Sequence, residues 1–419
     1  MKIAVVGAGV VGIVTAYELA LDGHSVTVIE KAAAACEGGS FANNGVVAPS
    51  FTQPFSTPEW HANGLARFFR SARRLSRTPW KSGQQLKWLW RWTKYHSPLN
   101  HAEVQRAGQQ LATYSAERLT HIAEAGKLEL ERSEGQLLLL RSAAVPDDLQ
   151  PVLEALKAQE IAFKLLTPEE TRKHEPALHA DAPFQGALWL PGNQVANCRQ
   201  FALLLRQEAQ RLGVQFRFNT AAQQLHAHAK PSLDLVSDGS RETQSFDHIV
   251  FCAGGLPDVL PATLRQRLPV MALHGYVLSV TVREPLNAPR SAVQDLETGL
   301  SINRLGQRIR ISGGAELGDD SGTKDANTVN QLYRTLEQYY PGAANYPSGT
   351  QVWRGTRYLV ADGMPLIGPS GLAGVSLNLG HGANGWTMAC GSARLLADLV
   401  GAKDTALPTA HLFPTRFAA

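Results

Sequence analysis

Cysteine is scarce in this chain, with four in 419 residues: Cys36, Cys198, Cys252 and Cys390. No two form a CxxC pair, and no histidines cluster at metal-ligand spacing. A disulfide framework and a zinc site are therefore not expected, and four free thiols in a reducing compartment are. No apolar run approaches the roughly twenty residues that span a bilayer. No leader-like segment precedes the strand-like residues that begin at Lys2, so the expectation is a cytoplasmic protein. Charge of one sign is also lacking: the formal net charge of +4 is too weak to argue for nucleic acid. There is no internal repeat and no low-complexity tract. What remains is ordinary globular composition, 44% hydrophobic and 18% charged, in a chain long enough for about two domains.

The chemistry is concentrated at two glycine-rich turns. KIAVV, from Lys2 to Val6, is a β-branched run that reads as a buried parallel strand. GAGVVG follows, then VGIVTAYELALDG at helical spacing, then SVTVIE as a second strand ending in Glu30. Gly7 permits the tight turn out of the strand. Gly9 lets a pyrophosphate approach the backbone, and Gly12 lets the helix pack close on the strand. Val10 and Val11 open that helix, whose free N–H groups and positive dipole end suit phosphate. Glu30, with Lys31 beside it, stands where an acid can accept hydrogen bonds from the adenosine ribose. FAD and NAD share this fingerprint. A second GxGxxG is missing, so one dinucleotide is expected.

The chain does not continue as regular βαβ units. Leu65 to His121 reads mostly helical. GQLLLLR and GALWLP read as strands, and CRQFALLLRQEAQRLG as an amphipathic helix followed by the strand VQFRFNT. FDHIVFCAGG is a buried strand suited to return beside the first. HGYVLSVTV and RIRISGG look like strands of a separate antiparallel sheet, and DANTVNQLYRTLEQYY like a further helix. The economical arrangement is α/β. A discontinuous Rossmann-like domain takes residues 1–55, 190–255 and 345–419. An α+β substrate domain with an antiparallel or mixed sheet takes 56–189 and 256–344.

Several blocks together resemble a known family. GxGxxG with Glu30, SFANNG, QLKWLW, FCAGG, GTRYLVADGMPLIG and GHGANGWTMACGS look like D-amino acid dehydrogenase, a flavoprotein branch of the D-amino acid oxidase and glycine oxidase superfamily. The resemblance runs from the first strand to the last helix. It implies non-covalent FAD, oxidative deamination of D-amino acids to 2-oxo acids and ammonia, and electron transfer to a quinone-type acceptor. It implies flavin contacts from Ser40, Asn43, Asn44 and Gly45, and from Ala253 and Gly254. In the late turn, Gly380, Gly382 and Gly385 let backbone pass close to a flat ring, with Asn384, Trp386 and Thr387 around the start of a helix. That helix's dipole would favour the negative charge of reduced flavin.

The same resemblance points to Arg357 as the anchor of the substrate carboxylate, since a guanidinium binds a carboxylate bidentately. The competing reading pairs Arg357 with an acid such as Asp362. Tyr276 is a second candidate, for a hydroxyl on the substrate sheet; the alternative is a buried aromatic. Arg304 and Arg308 are weaker candidates on that sheet. His381 is a candidate base, against a histidine held in its loop by backbone hydrogen bonds. Family members read GLRPMTPDGTP where this chain has GTRYLVADGMP, with Tyr358 after the arginine. That departure, like the short tail, concerns the substrate and leaves the flavin assignment alone.

Between Trp60 and Ala102 there is no acid, but nine Lys or Arg and five of the eight tryptophans. Such a segment suits peripheral contact with the inner membrane, near a quinone. A solvated basic face over a packed Trp core is the other reading. Three further possibilities stand beside the dehydrogenase: an oxygen-using oxidase of glycine, sarcosine or proline-type amines; a non-catalytic flavin-binding subunit; and an NAD-linked enzyme.

Overall fold

The computed structural model describes residues 1–50, 83–95, 98–142, 149–318 and 324–417. The expected helical stretch at 65–82, and most of the basic Trp-rich segment before Gly83, lie outside these residues. Among the described residues, no helix is long and apolar enough to cross a membrane.

Two large sheets carry the molecule. The strand Lys2–Val6 lies between Ser25–Ile29 and His248–Phe251, parallel to both. Gln215–Arg217 extends this sheet at one edge and Val375–Leu379 at the other, again in parallel. Leu366–Pro369 closes it as an antiparallel edge strand. FDHIVFCAGG thus returns beside the first strand, and the C-terminal segment joins the same sheet. Strands buried on both faces explain the unbroken apolar runs that mark them in the sequence.

The second sheet is mixed. Its long central strand Val270–Val282 pairs antiparallel with Arg308–Leu317 on one side and Gln351–Val360 on the other. Leu300–Leu305, Ala292–Asp295, Arg132–Leu140 and Gly186–Ala196 continue it outward, and only the Ala292–Asp295 pairing with Arg132–Leu140 is parallel. Val46–Val47 and Gln351–Val360 belong to this sheet, although both lie in segments that the sequence reading gave to the dinucleotide domain.

Helices cover the first sheet. Val10–Leu21, Cys198–Arg211 and Gly385–Val400 pack together with Leu111 of Pro98–Ala125 in one apolar cluster. Asn197 caps the second of these through the Gln200 N–H. Its buried face is Phe201, Leu205 and Ala209, spaced by four. Phe201 meets the Trp386 ring at 5.1 Å between centroids. Burying each of these rings contributes roughly 2–3 kcal/mol. The Ala326–Tyr339 helix, capped by Asp325, covers the second sheet with Leu332, Leu336 and Tyr339.

Candidate functional site

A cleft of about 1390 Å³ is lined by residues of both sheets. This exceeds the roughly 300–1,000 Å³ of a typical small-molecule pocket, and gives room for a dinucleotide with a substrate. One end is the first glycine turn. Gly7 has φ +110°, and a Cβ there would stand 2.7 Å from the Cys252 carbonyl oxygen. A Cβ at Gly12 would stand 1.9 Å from the Gly7 carbonyl oxygen. Gly12 therefore acts beneath the turn rather than in the cleft wall. Gly9, Val10 and Val11 do line the cleft. The Val10 N–H donates to Ser40 Oγ at 3.1 Å, which fastens SFANNG over the helix start. Glu30 accepts from the Ala8 N–H at 2.7 Å and the Ala32 N–H at 2.9 Å. Its carboxylate is thereby held at the cleft wall, with Lys31 alongside.

Asn43 and Asn44 also line the cleft. Asn43 Oδ1 accepts from the Gly45 N–H at 2.7 Å, and Asn44 Nδ2 donates to Ser312 Oγ at 3.0 Å. Gly45 itself does not face the cleft. It has φ +88° and sits where a Cβ would crowd Leu305 and Val195 at 3.0 Å each.

The two glycine-rich turns meet. The Gly380 N–H donates to the Gly254 carbonyl at 2.9 Å, which joins the late turn to FCAGG. Ala253, Gly254, Gly382, Asn384 and Gly385 line the cleft here, where the Gly385–Val400 helix begins. Thr387 Oγ1 accepts from the Ala48 N–H at 3.1 Å. Trp386 also lines the cleft, held there by an Nε1 hydrogen bond to the Ala196 carbonyl at 3.0 Å and by packing of its ring against Phe201.

The residues present fit a flavin dinucleotide. The glycine cradle cannot accept side chains, and Glu30 is fixed for hydroxyl donors. A residue the sequence reading missed points the same way. Asn378 is buried in the cleft wall and donates from Nδ2 to Thr15 Oγ1 at 3.0 Å, but its Oδ1 has no partner among the described residues. An orphaned buried acceptor costs about 1–3 kcal/mol, which a bound hydroxyl donor would offset. The available signal was a polar residue inside the apolar run VSLNL.

Arg357 is the outstanding group at the other end. Its guanidinium lies over Gly275, where a Cβ would stand 2.5 Å from Nη2. Both residues line the cleft. Burial lowers its pKa, and no acid among the described residues opposes that shift. The competing partner is taken: Asp362 accepts from Arg416 Nε at 2.7 Å. A half-buried cation with no acid partner among the described residues calls for an anion.

Tyr276 is not brought to the cleft. Its neighbours Gly275 and Val277 line the wall, while Tyr276 is fully buried in the core behind the sheet. Its hydroxyl donates to Glu316 Oε1 at 2.5 Å and accepts from the Asp325 N–H at 2.8 Å. Arg304 and Arg308 bind carbonyls and Ser279 along the sheet, away from the cleft. His381 lines the cleft, but its Nε2 meets Ser392 Oγ at 3.1 Å. Burial pushes its pKa down to about 4, so it is neutral across the working range. A side-chain bond to the last helix, with a backbone bridge to Leu359, holds it, in place of backbone bonds alone. Tyr358, the family departure, lays its ring over Gly255, where a Cβ would stand 2.4 Å from Cδ1. The four thiols are free and buried, and burial raises Cys390 well above the range of a nucleophile.

Comparison with known proteins gives the family. The sequence matches the family DAO, FAD dependent oxidoreductase, over residues 2–399. D-amino acid dehydrogenase of Cereibacter sphaeroides is 34% identical over 421 residues, covering 100% of this chain and 96% of that protein. The protein of the same name from Rhizobium johnstonii is 32% identical, covering 100% of both. Among solved structures, glycine oxidase from Geobacillus kaustophilus superposes with a TM-score of 0.76 at 22% identity, over 99% of each chain. The fold, the glycine cradle and the family match together establish that the chain belongs to the DAO family of FAD-dependent oxidoreductases, with FAD as its cofactor.

Proposed function

We propose that this enzyme deaminates D-amino acids oxidatively to 2-oxo acids and ammonia, and delivers the electrons to a quinone-type acceptor. The observation that carries the reading is Arg357, a half-buried guanidinium in the cleft wall with no acid partner among the described residues. The names of the full-length relatives at 32–34% identity support the same reading. Bound FAD supplies the acceptor for the hydride that leaves Cα. It would be held by the Gly7–Gly12 turn, Glu30, the SFANNG loop and the late turn.

Arg357 binds the substrate carboxylate bidentately and so orients Cα. The substrate amine releases its proton to water before oxidation. His381 takes no part in that transfer, because its Nε2 is engaged with Ser392. The imine product takes up water outside the protein's chemistry and yields the 2-oxo acid and ammonia.

Anaerobic mixing with a panel of D- and L-amino acids, proline and hydroxyproline included, tests the reading. D-amino acids should bleach the flavin absorbance, and turnover in air should release little hydrogen peroxide. Arg357→Ala should raise KM roughly 10- to 100-fold, the loss of one charge-assisted pair, while flavin stays bound. An unchanged KM would remove the anchor, and peroxide in step with turnover would favour the oxidase.

A further inference from the structure

One wall of the cleft is a row of neutral side chains across the second sheet. Gln294 pairs with Ser301, Ser301 with Ser312, Ser312 with Val277 and Val277 with Trp353. All five line the cleft. Gln136 stands beside Gln294 at the far end from Arg357.

The orientation of Gln294 follows from a chain of hydrogen bonds that begins at a backbone donor. The Ser50 N–H donates at 2.9 Å, so the acceptor on Asn193 is Oδ1. Asn193 Nδ2 then donates to Gln136 Oε1 at 2.8 Å. Gln136 Nε2 in turn donates to Gln294 Oε1 at 3.2 Å. An amide nitrogen can only donate, so a single unambiguous N–H sets every carboxamide in the relay. The last free group is Gln294 Nε2, with no partner among the described residues. Asn193 and Gln136 are 1% and 2% exposed, which keeps water from scrambling the order.

We propose that Gln294 is a specificity-determining residue that presents fixed N–H donors to a hydrogen-bond acceptor on the distal end of the substrate. This rests on the reading of Arg357 as carboxylate anchor. The substrate class is then an amino acid whose side chain ends in a hydroxyl, carbonyl or amide oxygen, rather than an alkyl group or an ammonium. Serine hydroxyls along the row extend the same neutral polar floor. Asn193 and Gln136 act as positioning residues that hold Gln294 in one flip state. A site built around buried donors discriminates strongly against ligands that leave them unpaired.

The test uses the FAD-loaded enzyme and does not depend on turnover. Perturbation of the flavin absorbance is titrated with non-reacting carboxylates of four to six carbons, in matched sets that end in a methyl, an amide or an ammonium. The wild type should bind the amide member at least tenfold tighter than the alkyl member, and Gln294→Leu should abolish the difference. Gln294→Glu accepts from Gln136 just as well but offers acceptors to the cleft. It should reverse the preference toward ligands ending in an ammonium, an inversion that a merely structural residue would not produce. An equal amide-to-alkyl ratio in wild type and Gln294→Leu overturns the proposal. Loss of all carboxylate binding in Arg357→Ala, or its persistence, reports on the anchor separately. So does the absence of flavin bleaching by D-amino acids, which would sink the D-amino acid reading and leave the Gln294 measurement standing.

Discussion

At Gly275 a missing side chain makes room for a charge. The position has no positive φ, so an alanine there is penalised by space alone: its Cβ would stand 2.5 Å from Arg357 Nη2. The guanidinium must swing away, and with it the proposed carboxylate anchor. Gly275→Ala should therefore raise KM about tenfold or more while the ratio of flavin to protein stays at the wild-type value. Steady-state kinetics beside the flavin spectrum checks this, and a normal KM would mean that Arg357 has another seat. The same strand shows what the sequence hides. Neighbours along a strand face opposite ways, so one residue of error in facing moves a side chain from site to core. The pairing of Val270–Val282 with Arg308–Leu317 shifts register between His274 and Tyr276. Nothing in HGYVLSV marks that irregularity, and the Tyr276 side chain lies in the core, as the buried-aromatic alternative has it. Arg357 was legible through the family resemblance, whose block carries an arginine at this place.

Among elements, the glycine turn and the helix after it were readable because their signals are local. A β-branched run, three glycines at fixed spacing and an acid are constraints that neighbours in sequence impose on each other. What joins that helix to the rest is not local. Glu18, on the Val10–Leu21 helix, is fully buried between Arg118 of Pro98–Ala125 and Arg394 of Gly385–Val400. Arg118 Nε meets Oε1 at 2.6 Å and Arg394 Nη1 meets Oε2 at 2.9 Å. Arg394 also bonds Asp398 at 2.8 Å and pairs with Asp22. One carboxylate thus fastens three helices whose residues lie about a hundred and nearly four hundred positions apart. Glu18→Gln keeps the shape but removes the charge from between two guanidiniums. Breaking a buried pair of this kind costs about 3–5 kcal/mol. Denaturant unfolding should show a loss of that order, with the flavin spectrum of the folded enzyme unchanged. A loss below about 1 kcal/mol would show that Asp22 and Asp398 suffice for Arg394.

The whole molecule must bring electrons from a buried cleft to an acceptor, and its surface bears on where that happens. The Gly83–Tyr95 helix has two faces. On the inner one, Trp88 is 7% exposed and donates from Nε1 to the Pro269 carbonyl at 2.9 Å, and Arg91 donates to the Arg267 carbonyl at 2.8 Å. These residues fit the packed-Trp reading of the basic segment. On the outer face, Leu86 is 57% and Trp90 64% exposed, with Lys94 5.8 Å from the Trp90 ring and Lys87 exposed nearby. Those residues are compatible with the membrane-surface reading. An apolar pair ringed by lysines suits the headgroup region of an anionic bilayer, where each cation adds about 1 kcal/mol of attraction. The enzyme should therefore sediment with anionic vesicles at low salt and be released as salt shortens the Debye length to a few ångströms. Leu86→Ser with Trp90→Ser should lower the partition at least fivefold and slow reduction of a membrane-dissolved quinone, while flavin bleaching by the amino acid substrate keeps its wild-type rate. Equal sedimentation of the variant and the parent would assign the outer face to solvent and move electron delivery to another surface.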